Sequence, residues 1–232
     1  MTPILILFFR IHPVTAVGTD LLYASVTKAG GTAVHGFNRT VDWRLVGFLA
    51  LGSVPATALT IAALYLLHID SRASQLLITR ALGVALLLTA ISLVLRKQLA
   101  RWATGRISDR DPRLTRRLTI LTGAVLGVLV SLSSVGAGAI GVTALVLLYP
   151  EMDSRRIVGS DIAHAVPLTL VAGAGHLFLG SINLHVLASL LAGSLPAIVI
   201  MSAVGARTPD PVLRVALACV LVLVCARFWF LG

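Results

Sequence analysis

The chain has 232 residues, 57% of them hydrophobic and 12% charged, with a formal net charge of +10 and a mean hydropathy of +0.97. A soluble domain of this length needs far more polar residues to cover its surface, so the composition excludes one and reads as an integral membrane protein held in a lipid bilayer. The positive charge does not point to nucleic acid, because eight of the 19 basic residues lie between Arg96 and Arg117, in a gap between apolar segments, where Lys and Arg mark a cytoplasmic loop.

In chain order, Met1 to Phe9 is apolar but too short to span, and Arg10-Ile11-His12-Pro13 ends it. The first full segment is Val14 to Phe37, carrying Asp20, Lys28 and His35. A polar connection, Asn38 to Arg44, leads into a segment from Leu45 to Leu67, and Trp43 at its edge suits a membrane interface. After His68-Ile69-Asp70-Ser71-Arg72 comes Ala73 to Leu95, with Arg80 either snorkelling toward Arg72 or lining a path. The basic loop, 96–117, follows.

Leu118 to Tyr149 then runs 32 residues without a charge. A continuous helix of that length reaches about 48 Å, against a hydrocarbon core of about 30 Å. Either the helix tilts, or it breaks at the Ser131 to Gly141 run of serines and glycines and turns back, its irregular backbone facing protein or a water-filled cavity. Counted by Lys and Arg in loops, the returning arrangement leaves only Arg10, Arg72 and Arg227 opposite the basic side, the better fit to the positive-inside rule. Segments at Ile157 to Phe178, Leu184 to Ala206 and Val212 to Phe230 complete the chain. Cys219 and Cys225 read as small packing residues.

The chain also repeats itself at an offset of 141: Gly18-Thr19-Asp20 becomes Gly159-Ser160-Asp161, His35-Gly36-Phe37 becomes His176-Leu177-Phe178, and Gly52-Ser53-Val54-Pro55-Ala56 becomes Gly193-Ser194-Leu195-Pro196-Ala197. Matches in Asp, His, Gly and Pro at one gapless offset indicate duplication rather than shared greasiness. The expected fold is therefore an all-α polytopic membrane protein, a single transporter domain over 1–232. A first repeat spans 1–95, the basic loop 96–117 and a second repeat 118–232, related as an inverted pair with a broken or re-entrant segment near 131–141. Because the counterpart of Leu118 to Val142 falls at or before residue 1, the first repeat reads as N-terminally incomplete, and the expectation is either about two dozen further residues with a Gly/Ser-rich run upstream or a partial protein with impaired transport.

Val17-Gly18-Thr19-Asp20-Leu21-Leu22-Tyr23-Ala24, Thr27-Lys28, His35, Val41-Asp42-Trp43-Arg44 and Gly52-Ser53-Val54-Pro55-Ala56 together resemble the TauE/SafE sulfite exporter family, also called the toluene sulfonate uptake permeases. The resemblance covers nearly the whole chain, except for the Gly-rich apolar helix with which the family begins. It implies a small bacterial inner-membrane permease moving sulfite, an organosulfonate or a related small anion.

Ionisable residues inside apolar segments are the site candidates. Asp20, Thr27, Lys28 and His35 form one polar stripe on a helix, and Asp161, His164, Thr169 and His176 form its counterpart. The aspartates either belong to a paired site or accept interhelical hydrogen bonds from hydroxyls. His35 and His176 either couple anion movement to protons or sit at the interface as segment ends. Ser133, Ser134, Gly136 and Gly138 offer hydroxyls and exposed amides, an anion cradle where helix N-termini point at it, or else close packing. Gly123 and Gly127 read as a packing pair, and Pro55 and Pro196 as matched kinks. No nucleophile–base pair, metal-ligand cluster or phosphate loop is visible, so neither an enzyme, a metal site nor a cofactor is expected. The alternative from another class is a membrane-embedded scaffold or assembly factor whose polar residues only hold helices together.

Overall fold

The computed structural model describes residues 1–37, 39–66, 72–106 and 111–205, with 219 and 222. The expected last segment, 212–230, and Arg207 and Arg214 lie outside the described residues, apart from those two positions. Among the described residues every regular element is a helix: α1 (Thr2–Leu7), α2 (Pro13–Phe37), α3 (Trp43–Leu66), α4 (Arg72–Arg106), α5 (Pro112–Ser133), α6 (Ala139–Leu148), α7 (Ser154–Phe178) and α8 (Leu184–Gly205). Four stretches are long and apolar enough to cross a membrane: Trp43–Leu66, Arg72–Leu95, Pro112–Ser133 and Ser154–Phe178. The all-α membrane architecture read from composition is thus the one found.

Local chemistry starts these helices. Asp111 and Asp153 cap α5 and α7 by accepting from the amides of Arg113 and Arg155 at 2.9 and 3.2 Å, and Pro112 opens α5 where a missing N–H is harmless. Asp42 and Asn183 do the same before α3 and α8, accepting from Leu45 and Val186 at 3.2 and 3.1 Å. The two segments flanking the central gap differ from expectation: α4 stays helical to Arg106 and α5 is helical from Pro112, so most of the basic stretch 96–117 is helix rather than loop. Arg, Lys, Leu and Ala are good helix formers, and the charge pattern does not override that propensity.

Contacts between helices give their directions. The start of α7, at Gly159, lies against Thr40 and His35 just past the end of α2, while the start of α2, at Gly18, lies against His176 and Ser181 at the end of α7. These two 25-residue helices are therefore antiparallel neighbours. Helices α3 and α5 run the same way, with Gly52 against Ile120 and Ala124, Gly123 against Leu49 and Gly127 against Ser53. A Cβ on Gly52 would overlap the Ile120 carbonyl oxygen, so the glycines are what bring these two backbones together. The Tyr149 hydroxyl, just after α6, reaches Thr119 near the start of α5 at 2.8 Å. Helices α5 and α6 thus form a hairpin that returns toward the end it left. Its apolar underside joins Leu45 and Leu49 to Val142, Leu145 and Ile157, and its tip packs Leu126 and Val130 against Val14, Val17 and Leu168.

The hairpin turns at residues 134–138. Ser134 caps α5 in the left-handed region at φ 56°, and Gly136 and Gly138 take φ 113° and 135°, values that exclude most side chains. The expected break in the 131–141 run is therefore real, and narrower than the run. Helix α3 continues unbroken through Pro55 and α7 through Pro167.

Gly52→Ala should destabilise the purified protein by about 1–3 kcal/mol, since α3 and α5 must separate to admit a methyl group. Gly47→Ala, where nothing stands within 4 Å, should be neutral. Unfolding in SDS titrations measures both.

Candidate functional site at the helix break

Lys28 stands on α2 about 13 Å from its C-terminal end, and Asp161 on α7 about 10 Å from its N-terminal end. Because the helices are antiparallel, both reach a similar depth. The Lys28 ammonium donates to the Ala137 carbonyl at 3.0 Å, inside the break. Asp161, Asp20 and His164 lie within electrostatic range of the ammonium. Asp161 is 1% exposed and its Oδ1 is turned onto Gly141, in the first turn of α6, where only a glycine leaves room. That first turn has no side-chain cap, so its free amides and the positive end of its dipole face the same region.

Four buried side-chain atoms among the described residues have no hydrogen-bond partner: Ser134 Oγ, Thr143 Oγ1, Asp161 Oδ1 and His164 Nδ1. They sit on the break, on α6 and one turn apart on α7. Buried polar atoms are nearly always paired, so four unpaired in adjoining elements make this the candidate site. His164 is held from its other side, its Nε2 2.9 Å from Ser53 Oγ on α3.

The other expected residues do different work. Asp20 accepts from the Thr2 amide and hydroxyl at 2.8 and 2.6 Å and meets the Met1 ammonium at 3.1 Å. Thr27 returns its hydroxyl to the Tyr23 carbonyl at 3.0 Å, and Thr169 to Ala165 at 2.7 Å, leaving neither free for a solute. Ser133 closes the end of α5, donating to the Leu129 carbonyl at 2.6 Å and accepting from the Val135 amide at 3.1 Å. Gly136 and Gly138 supply the turn itself. Arg80 is exposed on the outer face of α4, which removes it from any internal path.

His35 and His176 are structural joints. His176 is fully buried, Nε2 donating to the Ser131 carbonyl at 3.0 Å and Nδ1 3.2 Å from Ser181 Oγ. An interfacial position, expected from its place at a segment end, is therefore wrong for His176: the α7–α8 connection folds over it. His35 makes the same pairing with Thr40 Oγ1 at 2.8 Å. Each connection is then tied to the other half. The Asp42 amide donates to Ser160 Oγ at 2.8 Å and the Asn183 amide to Thr19 Oγ1 at 3.1 Å. Ser53, Thr143 and Gly141 escaped the sequence reading; Ser53 belonged to the Gly-Ser-x-Pro motif, and Thr143 is the offset partner of Thr2.

The sulfite exporter TauE/SafE family model matches residues 1–228. The chain belongs to the TauE/SafE family. It is also 38% identical, over 224 residues, to the "Probable membrane transporter protein YjnA" of Bacillus subtilis (strain 168), covering 96% of this chain and 87% of that relative. No solved structure matches. The chain is thus a multi-pass membrane protein of a transporter family, which implies a non-enzymatic role, and the buried polar cluster belongs to a TauE/SafE fold.

Thr19→Val and Ser160→Ala each leave one connection's amide unpaired. Each should lower stability by about 1 kcal/mol. The losses should add in the double variant, because the two joints are at opposite ends of α2 and α7; thermal melts of the purified proteins measure this.

Proposed function

We propose that this TauE/SafE protein is a permease for a small anion such as sulfite or an organosulfonate, binding it where Lys28 meets the 134–138 break. One observation carries the reading: a half-buried ammonium and the uncapped first turn of α6 converge on buried hydroxyls without partners. An anion leaving water needs donors and positive charge to replace its hydration, and Lys28, the Ser134 and Thr143 hydroxyls and the α6 amides are such donors. Asp161 and His164 form the wall opposite.

The two halves are read as an inverted repeat. The bounds of α2 recur in α7 at the 141-residue offset, as do the start of α3 in α8 and the end of α1 in α6. The His35–Thr40 pair recurs as His176–Ser181, and the cross-half bonds Asp42–Ser160 and Asn183–Thr19 exchange under the same offset. Antiparallel α2 and α7 support an axis in the membrane plane, the arrangement of many secondary transporters. Arg39, Arg44, Arg113, Arg116, Arg117, Arg155 and Arg156 gather at the end where α3, α5 and α7 begin, against Arg10 and Arg72 at the other, so that end is assigned to the cytoplasm of the inner membrane. A cavity of about 850 Å³ opens there, lined by Arg113, Arg116 and Arg156 together with Glu151 and Asp153.

Radiolabelled methanesulfonate should enter proteoliposomes saturably. Per amount of folded protein, Lys28→Met should reduce uptake about 10- to 100-fold, the size of losing one charge-assisted hydrogen bond. Absence of uptake, or uptake indifferent to Lys28, contradicts the proposal. A cysteine at Ser154 should resist labelling from outside intact cells, as should cysteines within 96–117.

A further inference from the structure

Asp20 and Asp161 occupy equivalent places on α2 and α7, yet their surroundings differ. Asp20 is saturated: its partner at the offset, Thr2, gives it an amide and a hydroxyl. The corresponding pair in the second half is open, with Thr143 Oγ1 and Asp161 Oδ1 both buried and both unpartnered. The same two residue types are thus bonded in one half and held ready in the other.

Charge balance gives this difference a purpose. Lys28 is the cation that faces the break, and Asp161, buried on the neighbouring helix with Oδ1 unpartnered, lies within about 3 Å of its depth, against about 12 Å for Asp20. Asp20 already has the amide and the hydroxyl of Thr2. An anion that settles on Lys28 takes away the compensation of Asp161, leaving a buried carboxylate unpaired where water does not screen it. A proton added to Asp161 restores neutrality.

We propose that Asp161 takes up one proton with each anion bound and carries it across, while Asp20 is a fixed anchor. This rests on the anion-permease reading. The step is a simple association: a proton from the aqueous phase adds to a carboxylate oxygen of Asp161, giving a neutral carboxyl group, and leaves to the other side after the anion is released. No other bond is broken. The groups facing Asp161 fit this role. Helix α2 brings Lys28, and α7 itself brings His164 one turn on, its Nδ1 free and its Nε2 fixed by Ser53 of α3. Helix α6 brings Gly141 and Thr143, which do not titrate, and the arginines of α5 lie in its first two turns, at the end where α7 also begins. His35 Nδ1 is held by Thr40, and His176 spends both ring nitrogens on Ser181 and the Ser131 carbonyl, whereas His164, one turn from Asp161, keeps Nδ1 unpartnered and is the imidazole on this face able to pass a proton inward.

Methanesulfonate is ionised throughout the neutral range and brings no proton of its own, so it is the probe. Calorimetric titration of the purified protein in two buffers of different ionisation enthalpy counts protons taken up per anion bound. Roughly one is expected for the native protein and for Thr2→Val, which loosens the Asp20 anchor, and close to none for Asp161→Asn. Infrared difference spectra with and without methanesulfonate should show a protonated-carboxyl band that appears on binding and changes frequency in Asp161→Glu, a variant that keeps the acid. Binding without proton uptake, uptake that survives in Asp161→Asn, or a carboxyl band unmoved in Asp161→Glu each overturns the proposal while leaving the permease reading intact. Failure of the native protein to bind methanesulfonate counts against the permease reading and removes this inference with it.

Discussion

Backbone groups released by a broken helix inside a bilayer have no water to turn to, so the protein must supply their partners. In this chain that requirement is met from three directions. Lys28 of α2 reaches the Ala137 carbonyl, Ser133 binds back to the turn it precedes, and His176 of α7 holds the Ser131 carbonyl. The break between α5 and α6 is thus stitched to both long antiparallel helices. A lysine that would be costly in hydrocarbon by itself is here a structural donor with two carboxylates in range.

Holding that arrangement together falls to the two connections at the ends of α2 and α7. Each buries or half-buries a histidine under a Thr or Ser five residues later, and each passes an amide to a hydroxyl on the other long helix. Gly18 and Gly159 are needed there because any side chain would meet the Ser181 or Thr40 carbonyl oxygen. These joints fix how α2 and α7 lie, and so fix the spacing between Lys28 and Asp161. A rearrangement that opens one end must loosen one joint while the other stays closed, the kind of rocking that a paired fold around a central site permits.

Much of this was legible from residue types with few alternatives. The offset of 141 on which the proposed repeat rests is carried by Gly, Asp, His and Pro, which apolar composition does not generate by chance. Length left two options for 32 uncharged residues, a tilted helix or a break, and the distribution of Lys and Arg favoured the break. What stayed hidden depends on which surfaces meet. The bond from Lys28 to Ala137 joins positions 109 apart, and that from Ser53 to His164 positions 111 apart, distances over which no pattern in the chain speaks. Asp20 and Asp161 look alike in sequence and differ only through Thr2 and Thr143. The 96–117 stretch read as loop because its charge dominated, although its residues favour helix. His176 read as interfacial from its place near a segment end, which does not reveal that the connection beyond it folds back as a cover.

The central claim is that Lys28 and the 134–138 break together hold the transported anion. It is tested most directly by locating a heavy-atom anion in the molecule, through anomalous diffraction from crystals grown with 2-bromoethanesulfonate. The account predicts sulfonate density against the Lys28 ammonium and the first turn of α6, with the bromine peak beside it, and loss of both in Lys28→Met. Density confined to the cavity lined by Arg113, Arg116 and Arg156, with none at Lys28, would contradict it.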